Sequence, residues 1–505
     1  MHQYVQSRYT IMTPLLRGRS LAYNSLSGAL AVMEAHDRDA YDRVGERRVL
    51  PTDEESITQL AYGGFIVDEA TDELEIIRRQ YNAHRYDMST MILTVAPTLA
   101  CNFGCDYCFQ GQDKPNAGMR EDVQEALLGL IGRVTPAIRR LHIAWYGGEP
   151  LLRKDLIESL SDQVIAHCEA NKLIYDAMIV TNGYFLDPEV ARMLTTRRVK
   201  SAQVTLDGLP SYHDARRHLH SKKGTFAKIL HNLRDVVHEV PELRISVRVN
   251  IDDRNRDDIA GLIDLLAEEG LGGKDHFKMY FAPIEAMTEG CHGVESVTMS
   301  KARYAQLEAE LYRHGYRAGL TGLPYPPRFH GTCAAVRPRG FVIVPSGDIH
   351  KCWDTVSDPS RRVGTLFDLE ALNSDELSHA WIKWTPFNNE TCRNCRILPN
   401  CAGACAYKFV HSGSQRGEAA ILPCPSWKYN IRERLLLRAV ETGALSQADY
   451  DVEQSRTDPT LLCADVHVAG GNALPAEMQA LYQKISGKKS RSLPVLSTSP
   501  AEHAL

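Results

Sequence analysis

The sequence predicts an α/β protein: a partial (β/α)6 TIM barrel, preceded by a small α+β module and followed by a cysteine-rich domain. Three observations predict it. Six runs rich in β-branched and aromatic residues alternate with helical periodicities through the middle of the chain. Those strand runs are close to continuously apolar, as parallel strands covered on both sides are. Residues able to do chemistry gather where the runs end, which is where a parallel barrel carries its sites.

In chain order, residues 1–88 read as a separate module. LRGRSLAYNSLSGALAVM suggests a β-hairpin turning at SLSG, followed by helical stretches AHDRDAYDRV and DEESITQLAYG, then GFIVDE and the helix DELEIIRRQYNAHRY. The barrel occupies residues 89–318. Its strands are MILTVAPTLA, LHIAWYGG, DAMIVTNG, SAQVTLDG, RISVRVNID and HFKMYFAPI. Helices REDVQEALLGLIGRV, LIESLSDQVIAHCEANK, PEVARMLTTRR, FAKILHNLRDVVHEV and RDDIAGLIDLLAEEG fall between them. Six units make an open barrel rather than a closed eight. The Pro/Gly-rich GLTGLPYPPRFHG connects this to a cysteine-rich domain at 319–435. Residues 436–505 read as a helical extension whose tail, from Gly487, has no periodicity and is expected to be disordered.

At 505 residues the chain exceeds one core, and roughly 100–200 residues per domain implies two to four domains. A net charge of −5 and a pI near 6.4 argue against a nucleic-acid partner. No run of 18 or more apolar residues occurs, and the N-terminus lacks a signal-peptide layout. The expectation is a cytoplasmic protein with no membrane association. Thirteen cysteines in a reducing compartment then read as metal ligands rather than disulfides. Cys168, Cys291 and Cys463 stand apart and read as incidental, Cys168 as a small buried hydrophobe in a helix.

Cys101, Cys105 and Cys108 form C-x3-C-x2-C in ACNFGCDYCFQGQ. Structural zinc closes four positions, yet no fourth Cys or His is near. Three thiolates at a barrel mouth suit an iron–sulfur cube with one iron left open. CNFGCDYCF, followed in order by GGEP, TNG and LDG at successive strand ends, resembles the radical S-adenosylmethionine (SAM) enzymes over about residues 91–284. The resemblance implies that SAM chelates the open iron. An electron from the cluster then gives methionine and a 5′-deoxyadenosyl radical that takes hydrogen from a substrate. It also implies that Gly147, Gly148 and Glu149 meet the SAM amino group and that Tyr107 lies against the adenine. Thr205, Arg217 and Asn250 fall where related enzymes hold the ribose and carboxylate. Ordinary strand-end capping by Thr205 and Asn250, a solvated Arg217 and a turn-ordering Asp207 stand beside these roles.

Seven further cysteines lie within 92 residues: Cys333, Cys352, Cys392, Cys395, Cys401, Cys405 and Cys424. A pair of zinc sites would need an eighth ligand, such as His330 or His350. The array resembles the SPASM domain of radical SAM enzymes that modify peptides and proteins, which carries two auxiliary 4Fe–4S clusters. By position, Cys333, Cys352 and Cys405 would hold the first, and Cys392, Cys395, Cys401 and Cys424 the second. The first is then open at one iron or completed by a non-cysteine group. With the SAM cluster this makes three 4Fe–4S clusters in all.

The expected activity is that of a radical SAM/SPASM oxidoreductase. It would mature a ribosomally synthesised precursor peptide (a RiPP) through an oxidative thioether, ether or C–C crosslink. An electron donor such as flavodoxin or ferredoxin is implied. The N-terminal module favours this reading, since it resembles leader-binding elements in which a peptide adds a strand to a sheet edge. The alternatives are an anaerobic sulfatase maturase forming formylglycine and an iron–sulfur electron-transfer scaffold. Asp354, just after Cys352, is a candidate catalytic base, against the bland reading of a solvated turn residue.

Overall fold

The computed structural model describes residues 3–112, 114–322, 329, 331–370, 376–417 and 424–455. The tail expected to be disordered, Cys463 and His330 lie outside them. The N-terminal segment contains β1 (Tyr4–Gln6), β2 (Thr10–Pro14), β3 (Ser20–Asn24), β4 (Leu30–Met33), α1 (Ala35–Gly45), α2 (Glu54–Tyr62), β5 (Ile66–Asp68) and α3 (Glu73–Arg85). The expected hairpin is present as β3 and β4, and β2 pairs on the other side of β3. The turn forms because Asn24 Oδ1 accepts from the amides of Leu26 and Ser27, at 2.9 and 2.8 Å. Sequence reading missed β1 and β2, which are too short and too mixed to show alternation.

This small sheet is covered on both faces. Ala22 and Met33 pack with Ala40, Tyr41, Val44 and Leu60 of α1 and α2. Ile11, Leu21 and Tyr23 pack against Ile431, Leu435 and Leu436 of the helix Trp427–Glu441. That helix runs straight through the expected division at 435/436. Asn430 Nδ2 donates to Ala305 O at 2.9 Å, and Arg434 pairs with Glu308 at 2.5 Å, tying it to the barrel's last helix.

The barrel strands are β6 (Thr90–Val95), β7 (Arg140–Trp145), β8 (Ile174–Thr181), β9 (Val199–Thr205), β10 (Arg244–Ile251) and β11 (Phe277–Pro283). All five neighbouring pairs are parallel. Seven helices come with them: α4 (Glu121–Val134), α5 (Lys154–Ala170), α6 (Pro188–Thr196), α7 (Pro210–Arg216), α8 (Phe226–Glu239), α9 (Ile259–Glu268) and α10 (Lys301–Arg317). Leu93, Ile143, Ile179, Val204 and Val249 are fully buried in one core with helix residues such as Leu127, Leu160 and Leu233. The strands are not buried evenly, however. β6, β7 and β8 alternate buried with half-buried positions. Six strands leave the barrel open, so its inner face lines a cavity and carries polar side chains, among them Gln203, Thr205, Arg248 and Asn250.

The sheet does not stop at the barrel. β12 (Gly340–Ile343) pairs in parallel with β6, and β13 (Asp348–His350) and β14 (Gly364–Thr365) follow it, giving one nine-stranded sheet. The first barrel strand, which leads into the three-cysteine loop, is thereby bonded to the strand pair that leads into Cys352. Buried Lys351 donates to Arg337 O and Gly340 O, at 2.6 and 2.8 Å, and closes this join. A Cβ on Gly340 would lie 2.1 Å from Ala334 O. Gly340→Ala is expected to cost about 1–3 kcal/mol of stability, read as a lower denaturation midpoint at unchanged m-value; an unchanged midpoint would show that the join yields freely.

Candidate functional site

A cavity of about 500 Å³ lies at the carboxyl ends of the barrel strands. Cys101, Cys105 and Cys108 line one side of it, and Asp354, Cys405 and Cys424 line another. Of the other residues singled out in the sequence, Tyr107, Gly147, Gly148, Thr205, Arg217 and Asn250 also line it. Glu149 sits beneath the wall, fully buried.

The glycines of GGEP are required by close approach to the loop that follows β6. Gly148 N donates to Thr98 O at 3.1 Å, and Glu149 N donates to Ala100 O at 2.8 Å. A Cβ on Gly147 would lie 2.2 Å from Thr98 O, and one on Gly148 would lie 2.2 Å from the carbonyl oxygens of Leu99 and Ala100. These are the residues immediately before Cys101. Glu149 joins this loop to the next strand end. Its Oε1 accepts from Thr181 Oγ1 at 2.7 Å and Leu151 N at 3.0 Å, and its Oε2 accepts from Asn182 N at 2.7 Å. Burial pushes its carboxyl up to about 6 against the pull of these donors.

The middle of the cysteine loop is held from two sides. Outside, Asp106 accepts from Arg216 Nε at 2.8 Å and Arg254 Nη1 at 3.0 Å. Inside, the Tyr107 hydroxyl donates to Asp207 and accepts from Arg217 and Asn250. Asp207, fully buried, also accepts from Asn250 N at 3.0 Å and Asn250 Nδ2 at 3.1 Å. The turn-ordering role weighed for this aspartate falls to Asp258, whose Oδ2 accepts from Leu209 N at 2.6 Å. Asp207 fastens the cysteine loop to β9 and β10. Arg216 stacks over the Tyr107 ring at 4.6 Å.

Several cavity residues escaped sequence reading. Lys114 faces the first three cysteines: burial works to lower it, but the Cys108 and Cys101 thiols outweigh this and hold it above its ordinary value. Arg248 lies two residues before Asn250 on the same strand face, and strand alternation was the signal that might have found it. Cys291, taken as incidental, is buried in the wall with its thiol donating to Thr288 O at 3.3 Å. Glu285 accepts from Lys301 and from Lys408, the latter at 2.8 Å. Burial raises that carboxyl, yet the two lysines outweigh it and hold it at about 2. No local pattern announces this trio, because its members come from distant parts of the chain.

The seven later cysteines fall into two groups. Cys392, Cys395, Cys401 and Cys424 line one narrow apolar cavity, with Lys428 Nζ 3.6 Å from Cys424 Sγ. Burial raises the Cys392 thiol well above its usual value, and Cys424, Cys401 and Cys395 add to the effect. Cys333, Cys352 and Cys405 form the other group with Asp354: burial raises Cys352 most, followed by Asp354, Cys405 and Cys333. Cys333 is exposed to solvent, whereas Cys352 and Cys405 are half-buried. His350 bonds instead to Thr355 at 3.0 Å, and burial lowers it to about 4. Cys168 is buried in α5.

Among the described residues no three Cys, His, Asp or Glu side chains converge closely enough to hold a single metal ion. Burial pushes Cys101 and Cys401 up to about 12 and Cys405 to about 11, so a cubane that takes thiolates must displace protons from them.

Comparison with known proteins agrees with this geometry. Residues 95–266 match the Radical SAM superfamily. Radical SAM cyclopropyl synthase TigE of Paramaledivibacter caminithermalis is 23% identical over 389 residues, which is 68% of this chain and 74% of that protein. A GTP 3′,8-cyclase of Sulfurovum sp. is 24% identical over 273 residues, 50% of this chain and 78% of that protein. Among solved structures, anSMEcpe with bound AdoMet and Kp18Cys peptide has a similar fold, with a TM-score of 0.54 and 19% identity. That likeness covers 72% of this chain and 99% of anSMEcpe.

Gly148→Ala is expected to displace the cysteine loop, lowering both iron content and SAM affinity after anaerobic reconstitution. Gly129→Ala in α4, where a Cβ meets nothing within 4 Å, is the control and should change neither. Equal iron and affinity in both variants would show that the close contact is dispensable.

Proposed function

We propose that this radical SAM enzyme modifies a peptide, abstracting hydrogen from a side chain or α carbon and forming an oxidative crosslink. The observation that carries the reading is the shared cavity. Three cysteines of the barrel loop face a space whose other wall includes Asp354, Cys405 and Cys424 from the two later groups. When bound, a 4Fe–4S cluster at the first site supplies the electron that cleaves SAM to methionine and a 5′-deoxyadenosyl radical.

The chain's own residues do the positioning. In this reading Cys101, Cys105 and Cys108 hold the first cluster. Cys333, Cys352 and Cys405 hold one auxiliary cluster, and Cys392, Cys395, Cys401 and Cys424 the other. Lys114 offsets the negative charge that the first three thiolates gain. Gly147 and Gly148 let the cysteine loop pack against this wall, where their backbone would meet the SAM amino group, and the Glu149 carboxylate keeps the wall in register with Asn182. Thr205, Arg217 and Asn250 offer a hydroxyl, a guanidinium and an amide to the polar groups of SAM. Tyr107 closes the same side. A substrate radical must lose an electron to become a closed-shell product, and Cys405 and Cys424, which would help hold clusters able to accept one, line the same cavity. Flavodoxin or ferredoxin would return electrons to the first site.

The peptide substrate is carried over from two observations. The fold resembles that of anSMEcpe, whose structure holds AdoMet and a peptide. In addition, β4 is bonded on one side only within its three-stranded sheet, among the described residues. That edge can take a leader strand through backbone hydrogen bonds.

Anaerobically reconstituted protein given SAM and a strong reductant is expected to release 5′-deoxyadenosine, and Cys101→Ala to release none. Product from neither, with iron fully loaded, would turn the assignment towards an electron-transfer scaffold.

A further inference from the structure

Among the described residues no fourth cysteine joins Cys333, Cys352 and Cys405, and the structure places one carboxylate against them. Asp354 Oδ2 lies 3.8 Å from Cys352 Sγ, Cys352 packs in one cluster with Cys405, and Asp354 and Cys405 line the same cavity. The other carboxylates around the cavity are matched. Glu285 takes Lys301 and Lys408. Glu149 accepts three donors, and Asp207 accepts from Tyr107 and Asn250. Asp252 pairs with Arg216 and Arg254 at 2.9 and 2.7 Å. Among the described residues, the only hydrogen bond to the Asp354 carboxylate is the long one from the Cys352 thiol, and no ion pair forms on it. Arg248 and Lys408 act on this carboxylate only through space, without a hydrogen bond or ion pair, and an iron would supply the direct partner it lacks.

We propose that Asp354 is the fourth ligand of the auxiliary cluster held by Cys333, Cys352 and Cys405. This rests on the reading of those three cysteines as one iron–sulfur site. On assembly, a carboxylate oxygen–iron bond forms, a water leaves that iron, and the carboxyl proton passes to solvent; no electron moves. The auxiliary cluster is then closed, so the peptide's sulfur has no vacant iron to bind there. A hard oxygen ligand in place of thiolate also donates less electron density and raises the cluster's reduction potential. That suits a site whose task is to accept an electron from a substrate radical. The assignment removes Asp354 from the role of free catalytic base.

The test is EPR of the reduced full chain, reconstituted anaerobically with SAM present, with and without cyanide as a ligand for an open iron. Parent protein is compared with Asp354→Ala and Asp354→Cys, and iron per chain is counted in each. The alanine variant should gain a cyanide-dependent signal absent from the other two, and the cysteine variant should shift the auxiliary potential downward. If alanine instead loses iron, restoration to the parent level by cysteine carries the proposal, and failure of cysteine to restore it overturns the proposal. Identical spectra, cyanide responses and iron in all three, with turnover alone lost, would also overturn it and make Asp354 a proton acceptor. These readouts require neither SAM cleavage nor a peptide, so a negative 5′-deoxyadenosine assay would leave the ligand question standing separately.

Discussion

The cysteine loop has no regular secondary structure, and what fixes it is a buried carboxylate. Asp207, at the end of β9, accepts from Tyr107 inside the loop and from both nitrogens of Asn250 on β10. Arg217 reaches the same hydroxyl. In a low-dielectric wall such bonds strengthen one another, and an unmatched member is costly. The knot therefore behaves as a unit: the positions of Cys105 and Cys108 follow from Tyr107, and that of Tyr107 from Asp207. Asp106 and its two arginines brace the loop from the opposite side. Three cysteines are held at the cavity without a helix or strand of their own.

The second constraint is the continuity of the sheet. β12 adds to β6 in parallel, so the strand entering the first cysteine group and the strand pair entering Cys352 share backbone hydrogen bonds. The helix Trp427–Glu441 then packs on α10 and on the N-terminal sheet at once. Backbone pairing and apolar burial therefore set the spacing between the cysteine groups more firmly than a flexible linker could.

Charge balance in the cavity follows from burial. Glu285 is neutralised by two lysines, and Lys301 falls to about 8 because burial outweighs the pull of that one carboxylate. Lys114 is set against the first thiols, and Lys428 against Cys424. These ammonium groups stand where any ionisation of the thiols would bring negative charge into a low-dielectric wall. Asp354 feels Arg248 and Lys408 but, among the described residues, forms an ion pair with neither.

The sequence by itself determined the fold class and the cysteine groups. Strand–helix alternation is a local property, and so is the run of chemistry at strand ends, so both were legible without coordinates. The spacing C-x3-C-x2-C likewise carries its meaning within eight residues. Three things were not legible. β1 and β2 are too short for a period to show. The addition of β12 to β6 joins residues about 250 apart in the chain, and no local pattern encodes that pairing. The hub at Asp207 and the Lys301–Glu285–Lys408 trio exist only once distant elements meet. Residue type and spacing singled out the candidate side chains. Only the packed structure decided which of them face one another, because burial and partner choice depend on contacts between remote segments.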